Sequence, residues 1–458
     1  MRALSDYYRL PTDLFSGVSM TPDTGAASGA SGFFQFGPAI CFGRNRSGVA
    51  TDVLHCEQFD ASRDVRIDCG NIHLPFDFDE VIDNLRQERY RKSIGVQGRP
   101  WVAAAPVRRL YYLVREFLPV SIRRQLQKIY LSGWENLPFP AWPVDFTVDT
   151  LHEESLRLLM RASGIDRVPF IWFWPTGASA CLIMTHDVET ASGRDFTQKL
   201  IEIDASYGIR GSYQVVPEER YEVPEEYVRQ IQDGGCEFNI HDLSHDGQLY
   251  EKRDIFLQRA RKINEYAKKF GARGFRAGVM YRNPDWYDAY EFSYDMSIPN
   301  VAHLEPQRGG CCTVMPFFVG KIVELPLTTV QDYSMFHMLN DHRIDLWKKQ
   351  LELIRKRNGL MSFISHPDYL IDRRNRRTYE ELLAYVKEMV VRNRIWATLP
   401  RDVDQWWRAR NQMRLAPHDG GWKVVGEGSE RARVAYAVLN GDQLAYEIAG
   451  AVRENVRG

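Results

Sequence analysis

Ala180-Cys181-Leu182-Ile183-Met184-Thr185-His186-Asp187-Val188-Glu189 and, further on, Cys236-Glu237-Phe238-Asn239-Ile240-His241-Asp242-Leu243-Ser244-His245 share one plan. A short apolar run with strand character ends in polar residues able to do chemistry. Gly274-Phe275-Arg276-Ala277-Gly278 and Met361-Ser362-Phe363-Ile364-Ser365-His366 repeat it. Candidate strands are 180–184, 211–216, 236–240, 274–277, 322–326, 361–365 and 395–399, with longer helical stretches between them. Pro224 precedes Glu225 and Glu226 at one helix start, while Lys268-Lys269-Phe270-Gly271 and Lys356-Arg357-Asn358-Gly359 read as helix ends. Acid at the start and base plus Gly at the end suit the helix dipole and the left-handed C-terminal cap. Thr378 with Glu381 reads as a capping box for a helix running to 391. Repeated βα units predict an α/β fold with a parallel sheet, open or closed into a barrel.

Outward from this region the pattern changes. We expect a barrel over 178–409, an N-terminal accessory unit over 1–107, a helical connector over 108–177 and a small C-terminal β appendage over 410–458. The N-terminal unit reads as small α/β or mostly β: a Gly, Ser, Ala and Thr-rich loop over 17–34, strand-like runs between 34 and 72, and an acidic helix over 76–89. Two amphipathic helices interrupted at Pro119 fill 108–131, and 137–144 is punctuated by Pro and Trp and should be extended. Near the end, alternating runs flank Asn440-Gly441, a strong hairpin signal.

The 458 residues carry 59 basic and 60 acidic side chains, a net charge of -1, which excludes a dedicated nucleic-acid binder. With 44% hydrophobic and 26% charged residues the chain is an ordinary globular one. The first residues have no basic stretch followed by an apolar one, and the apolar run 168–175 is too short to span a bilayer. Seven scattered cysteines without a CxxC pair read as reduced, buried thiols. A cytoplasmic protein is expected. Arg108, Arg109, Arg115, Arg123, Arg124 and Lys128 accompany the apolar stripe of 108–131, so peripheral contact with an inner membrane face is open beside simple packing of that stripe.

In βα folds the carboxyl ends of the strands form one face, so Asp187, Glu189, His241, His245, Arg276 and His366 should converge. His241 and His245 are spaced i, i+4; on a helical turn both imidazoles would share a side and could share a metal. Such a pair also recurs by chance on solvated helix faces. Two imidazoles and one carboxylate leave a coordination position open, as in catalytic zinc sites.

Taken in order, THDVE at 185–189, CEFNIHDLSH at 236–245, GFRAG at 274–278 and FISHPDY at 363–369 resemble the motif series of the polysaccharide deacetylase superfamily, the NodB-homology or carbohydrate esterase family 4 group. The resemblance covers 178–409 and implies a distorted (β/α)7 barrel, a divalent metal, usually zinc, and hydrolysis of an N-acetyl group from a sugar or glycan precursor. It implies metal ligation by His241 and His245, a general acid in His366, and an arginine, Arg276, that orients the catalytic carboxylate. The first motif departs from the usual Thr-Phe-Asp-Asp. In one register Asp187 is the base and Glu189 the ligand; in the other Asp187 is the ligand and His186 the base. Asp332 could orient His366 or cap a helix, and 331–338 should form the lip of the pocket. The alternatives are an amide or formamide hydrolase acting on a non-sugar substrate, and a carbohydrate-binding member of the fold without turnover. Oligomeric state is not legible.

Overall fold

The computed structural model describes 131–450 without a break, and 2–93 apart from 12–13, 16, 24–29, 49–53, 55–57 and 69, together with Gln125, Leu126 and Ile129. The helix pair expected over 108–131 therefore lies outside the described residues except for those three positions and Leu131. Two compact units emerge, one from Met1–Ser93, Phe146–Ala178 and Gln405–Gly458, the other from Ile94–Asp145 and Ser179–Asp404.

The second unit carries the βα repeats. In chain order its elements are β1 (Cys181–Val188), α1 (Ala191–Ser206), β2 (Gly211–Val215), α2 (Glu225–Asp233), β3 (Glu237–His241), α3 (Arg253–Phe270), β4 (Gly274–Arg276), β5 (Tyr294–Asp295), β6 (Phe317–Val319), β7 (Ile322–Glu324), α4 (Asp345–Lys356), β8 (Leu360–Ser365), α5 (Arg373–Asn393) and β9 (Trp396–Ala397). The sheet runs β6-β7-β5-β4-β3-β2-β1-β8, with β9 also on β1. Only β6 is antiparallel to its neighbour. The run after β7 meets β8: Thr329 N donates to Ser362 O at 3.2 Å, and Thr328 Oγ1 donates to Leu360 O at 2.7 Å while accepting from Ser362 N at 2.9 Å. These bonds close β1, β2, β3, β4, β5, β7 and β8 into a distorted (β/α)7 barrel. The distortion lies at β4 and β5, which are very short and joined by 3₁₀ turns instead of a helix.

Every residue of β1 is buried, because one face lines the barrel and the other meets the helices. The strand continues past the apolar run through Val188, so Thr185 and Asp187 lie within it; Arg276 inside the barrel satisfies both. α3 ends at Gly271, whose φ of +68° is the left-handed cap expected there. α5 differs from expectation. It begins at Arg373, capped by the Asp372 carboxylate, which accepts from Arg374 N and Asn375 N. Thr378 is already inside the helix, its hydroxyl donating to His342 O at 2.9 Å and to Arg374 O at 3.3 Å.

In the first unit, Gly32–Phe36 pairs with Ala39–Gly43 and Arg66–Asp68 with Asn71–Leu74. Ser19–Pro22, within the stretch expected to be loop, forms a strand parallel to Asn71–Leu74. Near the other end Val434–Asn440 and Gln443–Ile448 form the expected hairpin, but Asn440 pairs with Gln443, so the two-residue loop is Gly441-Asp442. That hairpin adds to Arg167–Ile171, and Tyr8, Phe170, Phe173 and Tyr446 pack edge to face around it. Among the described residues no helix is long and apolar enough to cross a membrane.

Candidate active site

At the carboxyl ends of β1, β3, β4 and β8 the six expected side chains meet. Glu189 follows β1 and keeps 22% of its side-chain exposure, so it faces the barrel mouth. Its Oε1 lies 2.9 Å from His245 Nε2, 3.4 Å from His366 Nε2 and 3.5 Å from His241 Nε2. Asp187, two residues earlier on the inward face, accepts from Arg276 Nη1 at 2.6 Å through Oδ1; its Oδ2 lies 3.7 Å from His241 Nε2. Arg276 is held in turn by Thr185 Oγ1 at 2.8 Å and Met296 O at 3.1 Å, and is fully buried. A buried cation with fixed partners holds one carboxylate oxygen and leaves the other open.

His186 is elsewhere. Strand alternation turns it to the helix side, where its ring bonds Ser365 Oγ at 2.9 Å and Asp204 Oδ2 at 2.8 Å. Helix α1 is capped by Thr190, which accepts from Gly193 N, so Asp187 is not spent as a cap.

The two histidines of the second motif are joined by a loop and not by a helical turn. Asp242 and His245 take φ of +57° and +54°, a conformation that costs energy for residues with a Cβ and persists only where surroundings enforce it. Asp242 N donates to Arg276 O at 2.9 Å, and Arg220 donates to Ser244 O at 3.1 Å and His245 O at 2.6 Å. The loop brings the two rings to 4.9 Å between centroids. Gly278 makes room for it, since a Cβ there would stand 2.4 Å from Asp242 Oδ2 and 2.9 Å from His245 Cδ2.

Glu189, His241 and His245 fit a divalent cation. The Nε2 atoms of both histidines are buried and make no hydrogen bond, although Glu189 Oε1 is close to each. His241 Nδ1 faces Arg276 O at 3.1 Å, so Nδ1 carries a proton and Nε2 is the atom turned toward the carboxylates, where a cation would take its lone pair. Two imidazole nitrogens and one carboxylate oxygen are a donor set suited to a zinc-like ion.

Neighbouring charges outweigh burial at both carboxyls and at His366. Burial alone would raise the Asp187 carboxyl, but Arg276, with His241 and His366, outweighs it and holds the group below its ordinary value. Burial likewise opposes ionisation of Glu189, and His245, His241 and His366 overcome it, leaving this carboxyl well below the usual range. His366 is buried, which disfavours its charged form; the Asp332 carboxylate and then Glu189 reverse this and push it well above an ordinary histidine. Asp332 Oδ1 accepts from His366 Nδ1 at 2.6 Å and Oδ2 from His366 N at 2.7 Å.

Among the groups around the mouth, Arg220 carried no sequence signal, being one charge in the loop after β2. Glu305 was also unforeseen: it is buried, accepts from Gln331 Nε2 at 2.7 Å through each oxygen, and is raised chiefly by burial. Gln331 belongs to the expected lip, and Tyr333 and His337 of the same run pack their rings against Tyr369.

No family model matches the sequence, and no curated protein matches it. Solved structures similar to this chain include a protein assigned to the polysaccharide deacetylases from Mycobacterium smegmatis, 18% identical, with a TM-score of 0.44, covering 54% of this chain and 97% of that one. Puue allantoinase is 13% identical, with a TM-score of 0.41 and coverage of 52% and 92%. Another protein assigned to the polysaccharide deacetylases, from Pseudomonas aeruginosa PAO1, is 12% identical, with a TM-score of 0.40 and coverage of 51% and 93%.

Proposed function

We propose that the chain is a divalent-metal-dependent amide hydrolase that removes the acetyl group from an N-acetylated sugar or glycan precursor. The observation that carries this reading is the shared approach of three imidazole Nε2 atoms to Glu189 Oε1, beside a second carboxylate clamped by a buried arginine. The sugar itself comes from the motif resemblance. Glu189, His241 and His245 would hold the ion, with Asp187 in the role of base and not of ligand. A divalent cation, zinc by donor type, supplies Lewis-acid polarisation of a carbonyl and lowers the pKa of water.

The protein's own groups divide the proton traffic. Arg276 keeps Asp187 ionised and fixes Oδ1, leaving Oδ2 to take a proton from the attacking water. As water adds to the acetamide carbonyl and the C–N bond breaks, His366 Nε2–H gives its proton to the departing amine, so that acetate and a free amino sugar result. Asp332 holds the His366 ring and keeps its proton available near neutral pH.

The test combines metal analysis of the purified protein with an acetate-release screen over N-acetylated sugars, with formamides and cyclic amides alongside. About one zinc-like ion per chain and acetate from a sugar are expected. Turnover of only a non-sugar amide would replace the substrate class, and a metal-loaded protein without turnover on any amide would overturn the enzymatic reading.

A further inference from the structure

Adjoining the lip lies a cavity of about 580 Å³, lined by Asp341, His342, Arg343, Arg374, Arg377 and Glu381 among others. Its walls continue the two segments that make the Asp332–His366 pair. One runs from Asp332 through the turn Ser334–Leu339; the other runs from His366 through Tyr369 into the first turns of α5. Thr378 Oγ1 ties the walls together at His342 O, and on the second of these segments the Tyr369 ring packs with its centroid 4.7 Å from that of His366 and 4.8 Å from that of His337.

The cationic side chains of this cavity are not all spent on the fold. Arg343 is engaged by Asp341 at 3.0 and 2.9 Å. Arg374 and Arg377 are exposed, and neither guanidinium makes a hydrogen bond or close ion pair among the described residues, although the charge of Arg374 is felt by the Asp372 carboxylate and by His342. They belong to Arg373-Arg374-Asn375-Arg376-Arg377, a cationic run opening a helix, where the dipole favours anions and opposes cations. The run therefore costs α5 stability, and Asp372 already takes the free amides of Arg374 and Asn375. The guanidinium groups, and not the helix end, are what this cavity offers an anion.

We propose that the cavity binds a phosphate of the substrate, so that the substrate class is an acylamino sugar carrying a phosphate monoester or diphosphate, with the sugar at the mouth and the phosphate on Arg374 and Arg377. This rests on the amide-hydrolase reading above and narrows it. The guanidinium fork matches phosphate oxygens two at a time.

Calorimetric titration of the full chain with inorganic pyrophosphate tests the site without requiring turnover. Saturable binding that weakens about tenfold or more in the Arg374→Gln, Arg377→Gln double variant is expected, with a smaller loss in Arg377→Lys, which keeps the charge but not the fork. Both side chains are exposed, and an unchanged thermal transition checks that the fold persists. No saturable binding by the wild type, or equal binding by the double variant, would overturn the proposal. Kinetics then join site to mouth: KM should be lower for N-acetylglucosamine 1-phosphate than for N-acetylglucosamine in the wild type, and equal in the double variant. Wild-type KM values that are equal for the two compounds would sever the cavity from the substrate. Pyrophosphate binding without acetate release from any compound would instead remove the deacetylase reading while leaving the anion site. Co-sedimentation with phosphatidic acid vesicles that the double variant loses would assign a lipid-borne phosphate; pyrophosphate binding without co-sedimentation would assign a soluble one, and both support the cavity.

Discussion

Replacing Asp332 by Asn should move the alkaline limb of the pH–rate profile to lower pH. A general acid must carry its proton, so activity falls as pH rises through the His366 pKa. In the wild type that pKa stands well above the ordinary histidine value because, against the cost of burial, the Asp332 carboxylate stabilises the imidazolium through a 2.6 Å bond. A hydrogen bond to a charged group contributes about 1.5–3 kcal/mol, and 1.36 kcal/mol corresponds to about one pKa unit. The limb should therefore fall by about one to two pH units. Stability follows the same sign. A histidine whose folded pKa is raised contributes stability that is complete below its unfolded value, near 6.5, and lost as pH rises through the folded value. Asp332→Asn should thus destabilise most at and below neutrality and least at high pH. The assay is kcat/KM against pH on a fixed N-acetylated substrate, with metal content measured in parallel. An unchanged limb in a metal-replete variant would refute the link between Asp332 and the proton on His366.

Three further outcomes follow from other residues. Gly278→Ala puts a Cβ 2.4 Å from Asp242 Oδ2, so the His245 loop must shift; metal affinity should drop, and equilibrium dialysis against a zinc buffer reads it. Burial raises the Glu237 carboxyl to about 7 against the opposing bond from Tyr294, so its contribution is complete below about 4.5 and lost as pH rises to about 7. That loss is about 3 kcal/mol, and denaturant titrations at pH 5 and pH 8 should differ less in Glu237→Gln than in the wild type. His186→Phe should leave metal ligation in place, because the ring faces α1 and not the mouth, yet lower the melting temperature by breaking the Ser365–His186–Asp204 chain; loss of metal with an unchanged melting temperature would contradict this placement.

The barrel and its mouth were legible because βα topology turns a local pattern into a shared location: Asp187, Glu189, His241, Arg276 and His366 each stand at or just past a strand end. What escaped the sequence depends on pairing across long separations. β5 is only Tyr294 and Asp295, too short for any periodicity, and barrel closure rests on Thr328 and Thr329, which carry no strand pattern of their own. His241 and His245 had the spacing of a helical turn but meet through left-handed backbone, sustained by Arg220 and the bare Gly278, neither of which advertises itself in the chain. Thr378 and Glu381 have the capping-box spacing, yet α5 starts earlier because Asp372 offers its carboxylate first. His186 and Asp187 are adjacent in sequence, and the two-residue period of a strand sends only Asp187 inward.

The most direct test compares bound metal and acetate release in the wild type, Glu189→Gln and Asp187→Asn. With Glu189, His241 and His245 as ligands and Asp187 as base, Glu189→Gln should lose most of its metal, while Asp187→Asn should keep it and lose about a hundredfold to ten-thousandfold in rate. The reverse pattern, with metal lost in Asp187→Asn and kept in Glu189→Gln, would contradict the assignment, and full metal and activity in both would contradict the site.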